Sequence, residues 1–192
     1  MGRLILASQS PRRREILEKY SIELEICKSE SEEVIRTDEK PEQIAMGLAF
    51  QKAYEVANKY EEDIVLGADT IVVLNEEVLG KPKNYEDAKL MLNKLSGKKH
   101  SVITGFCLIN LSTGKKHVDY VETEVYFKDL TDAKIQRYLE TKEYADKAGS
   151  YGIQGLGELL VERINGSYSN VVGLPIEKIA EVLEKFYDFY LI

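Results

Sequence analysis

The feature that most constrains the fold of this chain is an unbroken run of eleven residues from Ile64 to Leu74. Apart from Asp69, every residue in it is apolar, a glycine or a threonine. A strand that is apolar on both faces is typical of the centre of a sheet that helices cover on both sides. The run therefore predicts a central strand, and it makes Asp69 a carboxylate in a position where a charge is costly.

Strand and helix patterns alternate along the rest of the chain. Strands are predicted at 4–7, 22–26, 99–109, 117–127 and 159–164, and helices at 11–20, 41–60, 85–95 after Asn84, from Thr131, and 175–190. The two long strands flank a predicted hairpin turn at 112–114. Because a hairpin is antiparallel while helical crossovers favour parallel pairs, we expect an α/β fold with a mixed central β-sheet flanked by helices. The apolar stripe of the last helix, which includes Phe186 and Tyr187, is expected to pack into the core.

Composition limits the domain organisation and the class of partner. A length of 192 residues with 44% hydrophobic and 31% charged residues fits one domain over 1–192, divided at most into two lobes by a cleft. The net charge of -7 argues against a general nucleic-acid binder. Basic residues predominate in residues 1–20 and acidic residues in residues 21–42. A positive segment followed by a negative one suits a phosphate ligand together with a divalent metal.

The cysteines, the histidines and the hydropathy exclude several other classes. Cys27 and Cys107 lie in apolar alternating segments that are typical of strands, so we expect buried free thiols rather than a disulfide framework. His100 and His117 lie on opposite arms of the hairpin without cysteines at metal spacing, so any metal is expected to be a hard ion held by carboxylates. We expect a soluble cytoplasmic protein without a membrane segment, because no apolar stretch resembles a signal peptide or a bilayer-spanning helix.

Arg12, Arg13 and Arg14 stand together at the start of the first predicted helix. Ser10 can act as the N-cap and Pro11 fits the first helical position, so the free N–H groups and the helix dipole already make this turn electropositive. Cations added there cost stability, and the turn follows a strand end, where α/β sheets bind ligands. We therefore favour a polyphosphate site over the alternative of a solvated basic surface.

Two more charged residues fall within apolar patterns. The carboxylate of Asp69 can serve as a base or a metal ligand, or it can be a structural group satisfied by backbone donors; we favour function, because isolated buried charges cluster at sites. Lys52 continues the series Ile44, Leu48 and Val56, which step by four along one helix face. Function and a snorkelling lysine are equally compatible with that position.

Three residues in predicted loops complete the candidates. Lys81, held extended between Gly80 and Pro82, can contact phosphate or be an ordinary surface lysine. Gln154 lies in a glycine-rich segment where a ligand can approach closely, and its amide can read the edge of a base. Glu33 can supply oxygen to a metal, although a solvated run of charges is the simpler interpretation of its acidic surroundings.

Five short motifs, taken together and in this order, resemble the Maf family of nucleoside triphosphate pyrophosphatases. They are ASQSPRR (7–13), GADT (67–70), GKP (80–82), LSG (95–97) and DKAGSYGIQG (146–155). Each is weak alone, but the ordered set extends over about residues 3 to 185 and is highly specific. Ser150, where alanine is expected, is a mild departure from the family pattern.

The resemblance implies a Maf/ITPase-like fold with an active-site cleft between two lobes. It further implies hydrolysis of dTTP and UTP, and of modified pyrimidine nucleotides, between the α and β phosphates, with Mg²⁺ or Mn²⁺ as cofactor. The motifs resemble this branch of the family rather than the branch that acts on 7-methyl-GTP. The residue roles that carry over are Asp69 as proton acceptor, Lys52 and Lys81 as further catalytic residues, Arg12, Thr70 and Gln154 for substrate specificity, Ser8 and Arg13 for phosphate binding, and Glu33 with Asp69 for the metal.

The resemblance also implies a homodimer, and family members are associated with arrest of septum formation. An alternative is therefore a nucleotide-sensing regulator of cell division without significant turnover. The charged cluster around Asp69 favours catalysis, because a pure binder has less need of a buried carboxylate beside a polyphosphate. The Gln154 amide can pair with uracil or, when flipped, with cytosine, so uracil preference requires neighbours that fix it.

Overall fold

A computed structural model describes residues 3–30 and 39–192 of the chain. Its elements alternate between strand and helix. In order they are β1 (Leu4–Leu6), α1 (Pro11–Leu17), β2 (Leu24–Ile26), α2 (Pro41–Ala57), β3 (Ile64–Leu74), β4 (Glu77–Leu79), α3 (Tyr85–Leu95), β5 (Lys99–Asn110), β6 (Lys115–Phe127), α4 (Asp132–Glu140), β7 (Val161–Asn165), α5 (Tyr168–Val172) and α6 (Ile176–Val182). Short 3-10 turns occupy Ala148–Ser150 and Leu156–Leu160, and a π-helical turn at Leu183–Tyr187 follows α6.

The strands pair in the order β2-β1-β3-β5-β6-β7, with β4 paired to β3. Strand β1 is parallel to β2 and to β3, whereas β4 is antiparallel to β3 and β7 to β6. The predicted mixed α/β sheet is therefore confirmed. So is the predicted central strand, because β3 covers the whole apolar run from Ile64 to Leu74.

The chain divides into two compact units. The first contains Met1–Asp69, Thr104–Val121 and Gly173–Ile192, and the second contains Thr70–Ile103 and Glu122–Val172. Among the residues that the structure describes, no helix combines the length and the apolar character needed to cross a membrane.

The core of the first unit lies where α2 packs directly on strand backbone. A Cβ atom at Gly67 of β3 would lie 2.7 Å from the backbone nitrogen of Ala53, and one at Gly105 of β5 would lie 2.5 Å from that of Met46. Real Cβ atoms essentially never come so close, so glycine is required for this spacing. Around the contact, the buried residues are small or β-branched: Ile5, Ala7, Ala49, Ala53, Val56, Ala57, Val65, Cys107 and Ile109.

The core of the second unit contains a cluster of three aromatic rings. His100, Phe127 and Tyr151 meet edge to face with centroids 4.7–5.5 Å apart, and the Nε2 atom of His100 lies 2.8 Å from the hydroxyl of Tyr151. Only 2% of His100 is exposed, and this burial lowers its pKa to about 4. The ring therefore packs as a neutral aromatic group at neutral pH.

Several predicted boundaries differ from the structure for local reasons. Helix α1 ends at Leu17 rather than Tyr20, and the side chain of Ser10 makes no capping bond although Ser10 holds the N-cap position. The last strand begins at Val161 rather than at 159, because residues 156–160 form a 3-10 turn. Strand β4 and helix α5 are short and were not predicted. Cys107 is buried as expected, and burial raises its pKa to about 12, but Cys27 is only half-buried.

The prediction that Phe186 lies in the core is wrong. The helical stripe assumed a constant period, but the π-helical turn at Leu183–Tyr187 adds a residue per turn and rotates the following side chains. Phe186 is 43% exposed and stacks on His117, with ring centroids 5.3 Å apart.

We predict that Gly67→Ala lowers the free energy of unfolding by about 1–3 kcal/mol, because the added methyl group forces α2 away from β3. Gly47→Ala is the matched control, since Gly47 lies in α2 and none of the residues that the structure describes comes within 4 Å of an added Cβ atom; it should raise stability by about 0.5–1 kcal/mol. Urea denaturation measures both. Equal stability of the two variants would contradict this description of the α2–β3 contact.

His100 makes stability depend on pH. Its folded pKa of about 4 lies below the ordinary value of 6.5, so the unfolded chain binds a proton first as the pH falls. Stability is complete above pH 6.5 and is lost towards pH 4. From pH 7 to pH 5 the loss is about 2 kcal/mol. In urea titrations, the stability difference between wild type and His100→Gln should shrink by this amount at pH 5, and a pH-independent difference would contradict the assignment.

Candidate active site

The turn that follows β1 lies beside the middle of β3. Leu6 pairs with Leu66 in the parallel register, and the backbone N–H of Ala7 donates to the Leu66 carbonyl at 2.8 Å. Because both strands run in the same direction, the turn at the carboxyl end of β1 lies next to the 67–69 segment in the middle of β3. Ser8, 8% exposed, lies in this turn.

Arg13 is held in this turn by two oxygen acceptors. Its Nη1 atom donates to Ser8 Oγ at 3.3 Å, and Ser8 Oγ also accepts from the Ser10 N–H at 3.1 Å. Its Nε atom donates to the carbonyl of Gly173 at 2.7 Å. Gly173 has a φ of 125°, a conformation that favours glycine. The guanidinium group is thereby fixed in orientation rather than left to move in solvent.

The three arginines of α1 separate by environment. Arg12 and Arg13 are half-buried, whereas Arg14 is exposed and forms an ion pair with Glu18 one helical turn later, at 2.5 Å. Arg14 thus behaves as an ordinary helix-surface charge. Arg12 remains the predicted specificity residue, and the two residues predicted to bind phosphate, Ser8 and Arg13, are in contact.

Lys52 and Asp69 form an ion pair between the Lys52 Nζ atom and the Asp69 Oδ1 atom. The side chains are only 16% and 13% exposed, so both charges are largely removed from water. Gly67 and Asp69 share a face of β3, since side chains alternate along a strand, and α2 packs on that face. The close packing at Gly67 therefore brings Lys52, next to Ala53 in α2, to Asp69.

Three predicted residues lie in the second unit. Thr70, half-buried, is the residue of β3 that follows Asp69, while Lys81 and Gln154 are exposed in loops. The loops of Lys81 and Gln154 are connected, because the Gly149 N–H donates to the Gly80 carbonyl at 3.1 Å. The structure thus ties the Lys81 segment to the glycine-rich segment that carries Gln154.

The expected metal can be compared with the side chains available to bind it. In residues 3–30 and 39–192 there is no group of three histidine, cysteine or acidic side chains that could hold a metal ion. Magnesium is commonly held by one or two carboxylates together with substrate phosphates. Asp69 fits that mode of binding. Glu33, the other predicted ligand, lies outside the described residues.

Two contacts at the site have no clear signal in the sequence. The Gly173 carbonyl that holds Arg13 is 160 residues away from it along the chain. Glu143 accepts hydrogen bonds from the backbone N–H groups of Leu156 and Gly157, just after Gln154. In the sequence, Gly173 near Pro175 indicates only a turn, and Glu143 before a loop indicates only a solvated charge. Neither pattern shows which residue is the hydrogen-bond partner.

Comparison with known proteins gives full-length matches. The family model described as Maf-like protein matches residues 3–186. A dTTP/UTP pyrophosphatase from Clostridioides difficile (strain 630) is 51% identical over 188 residues, covering 98% of this chain and 97% of that protein. A dTTP/UTP pyrophosphatase from Alkaliphilus oremlandii (strain OhILAs) is 52% identical over 193 residues and is covered completely, as is this chain.

Among solved structures, that of a HAM1 protein from Coxiella burnetii matches with a TM-score of 0.52 and 14% sequence identity. The match covers 96% of this chain and 100% of that protein. At this identity the similarity concerns the fold alone, and it agrees with the mixed α/β sheet described above.

The Lys52–Asp69 pair should be energetically coupled. We expect Lys52→Met and Asp69→Asn each to lower the free energy of unfolding by about 1–3 kcal/mol, because each leaves a largely buried charge without its partner. The double variant should lose clearly less than the sum, as a double-mutant cycle in urea will measure. Arg14→Met, which breaks an exposed pair, is the control and should cost less than about 1 kcal/mol. Additive costs would contradict the coupling.

Proposed function

This chain belongs to the Maf family, and on that premise we propose that it is a nucleoside triphosphate pyrophosphatase that hydrolyses dTTP and UTP between the α and β phosphates. The products are the nucleoside monophosphate and pyrophosphate. The observation that carries the proposal is the Lys52–Asp69 pair, in which a largely buried carboxylate lies in the middle of β3, beside the turn that follows β1. Charged side chains removed from water are costly, and their presence in one place supports a functional site there.

Asp69 is proposed as the proton acceptor. A water molecule attacks the α phosphorus, the bond from that phosphorus to the α–β bridging oxygen breaks, and the water proton passes to the Asp69 carboxylate. The ammonium group of Lys52 orients this carboxylate and offsets its negative charge, which would otherwise repel the triphosphate. Phosphoryl transfer depends mainly on such positioning and on neutralisation of charge.

The remaining residues are proposed to hold the substrate. Ser8 and Arg13 bind phosphate oxygens, and the bonds of Arg13 to Ser8 Oγ and the Gly173 carbonyl support this role because they pre-orient the guanidinium group. Lys81 contributes a further cation. Arg12, Thr70 and Gln154 set the substrate preference, with the Gln154 amide pairing with the uracil or thymine edge.

A divalent cation, Mg²⁺ or Mn²⁺, is part of the proposal. Asp69, together with Glu33, would hold it, and the ion would neutralise phosphate charge as metal ions do in phosphoryl transfer. We further propose that the protein acts in the cytoplasm as a homodimer, without nucleic acid or membrane as a partner. The alternative, a nucleotide-sensing regulator of cell division, would instead bind nucleotide tightly and yield no product.

The proposal is tested with a panel of dTTP, UTP, CTP, GTP and 7-methyl-GTP, with product identification and with Mg²⁺ or Mn²⁺ present. We expect pyrophosphate and the monophosphate from dTTP and UTP, and little from GTP. Chelation of the metal should abolish turnover, and added metal should restore it. Release of orthophosphate and a diphosphate would refute the reaction, and tight binding without any product would favour the regulatory alternative.

Asp69→Asn should stay folded and lose about 10²–10⁴-fold in kcat, because the amide cannot accept the proton. Asp119→Asn is the matched control: this residue lies in the same unit, its side chain is 37% exposed, and its loss should leave kcat unchanged. Near-normal turnover of Asp69→Asn would remove Asp69 from the role of proton acceptor.

A further inference from the structure

The carboxylate of Glu143 holds the loop that carries Gln154. Glu143, half-buried beyond the end of α4, accepts the Leu156 N–H at 2.9 Å on Oε2 and the Gly157 N–H at 3.2 Å on Oε1. The hydroxyl of Tyr138 lies 3.4 Å from Oε1 and donates to it. These bonds join the end of α4 to the two residues that follow Gln154 and Gly155.

Glycines let this carboxylate lie directly against the loop. A Cβ atom at Gly155 would lie 2.6 Å from Cδ and Oε1 of Glu143. A Cβ atom at Gly157 would lie 2.6 Å from the carbonyl oxygen of Gly152. The backbone on either side of Gln154 is therefore tightly folded, with Gly157 against Gly152 and the Glu143 carboxylate against Gly155. Gln154 itself remains exposed.

We propose that Glu143 is a positioning residue that sets the base preference of the enzyme through Gln154. The inference rests on the proposed function, in which Gln154 reads the base. An amide distinguishes uracil from cytosine only when its position and its direction are fixed, because its two ends offer opposite hydrogen-bonding groups. The two bonds from backbone N–H groups to a carboxylate are of the stronger, charge-assisted kind and hold that backbone in place.

The effect of Glu143 should separate from the chemistry. Asp69 and Lys52 lie on β3 and α2 of the first unit, whereas Glu143 and Gln154 both lie in the second. Loosening the loop should therefore weaken recognition of the base without removing the proton acceptor. We expect KM for UTP to rise about tenfold with kcat changed less than about twofold, and the UTP-to-CTP ratio of kcat/KM to fall about tenfold.

Two independent variants perturb the clamp. Glu143→Gln keeps the shape but replaces one acceptor oxygen with an NH₂ group that faces a backbone N–H. Gly155→Ala keeps the carboxylate but places a methyl group where it lies, so that the flexible Glu143 side chain must move away. Glu140→Gln, an exposed change at the end of the same helix α4, is the matched control and should match wild type.

The measurement is steady-state kinetics with UTP and CTP, together with a double-mutant cycle of Glu143→Gln and Gln154→Ala. If Glu143 acts through Gln154, the two changes will be non-additive in the UTP-to-CTP ratio. Additive effects, an unchanged ratio, or a fall in kcat at constant KM would overturn the proposal. Thermal unfolding identifies a variant that has not folded.

If Glu143→Gln does not fold, Gly155→Ala decides alone, and failure of both to fold would make Glu143 a structural residue and overturn the proposal. A wild-type protein that hydrolyses neither dTTP nor UTP refutes the proposed function and this inference with it. Wild-type hydrolysis with unchanged base preference in both variants refutes only the role of Glu143.

Discussion

The direct packing of α2 on the backbones of β3 and β5 is the constraint on which the first unit depends. It exists because Gly67 and Gly105 lack side chains at the points where Ala53 and Met46 of the helix approach. A larger residue at Gly67 would move the helix outward, and Lys52, adjacent to Ala53, would move with it. The ion pair with Asp69 is thus a consequence of helix–sheet spacing. Its two charges also lose hydration, which makes the pair sensitive to that spacing.

The orientation of Arg13, in the first turn of α1, depends on a second long-range contact. Arginines in the first turn of a helix oppose its dipole, and Arg14 is compensated within the helix surface by its ion pair with Glu18. The side chain of Arg13 instead turns back to Ser8 Oγ and reaches the Gly173 carbonyl near the start of the C-terminal segment. Carbonyl and hydroxyl acceptors fix a guanidinium group without adding a negative charge, so these two contacts do not cancel the positive charge of Arg13.

The sequence predicted the elements whose signals are local and repeated. The extent of β3 followed from an uninterrupted apolar run, α3 from Asn84, whose side chain accepts the Asp87 N–H, and the hairpin from its turn. Lys52 and Asp69 were each recognisable as a charge in an apolar pattern, but their pairing was not, because a contact 17 residues apart leaves no periodicity. The π-helical turn that exposes Phe186 was not predicted either. A hydrophobic pattern analysed with one constant helical period cannot show where that period changes.

The candidate site is built in two physically different ways. Asp69 and Lys52 are carried by a central strand and a packed helix, and their geometry is therefore tied to the core of the first unit. Gln154 is carried by an exposed loop whose shape depends on glycines and on the Glu143 carboxylate. Loops tolerate substitution better than core elements do, because fewer buried contacts depend on them. Under the proposed function, a change in the loop would alter which base is accepted, while Asp69 and Lys52 would keep the geometry that the core imposes on them.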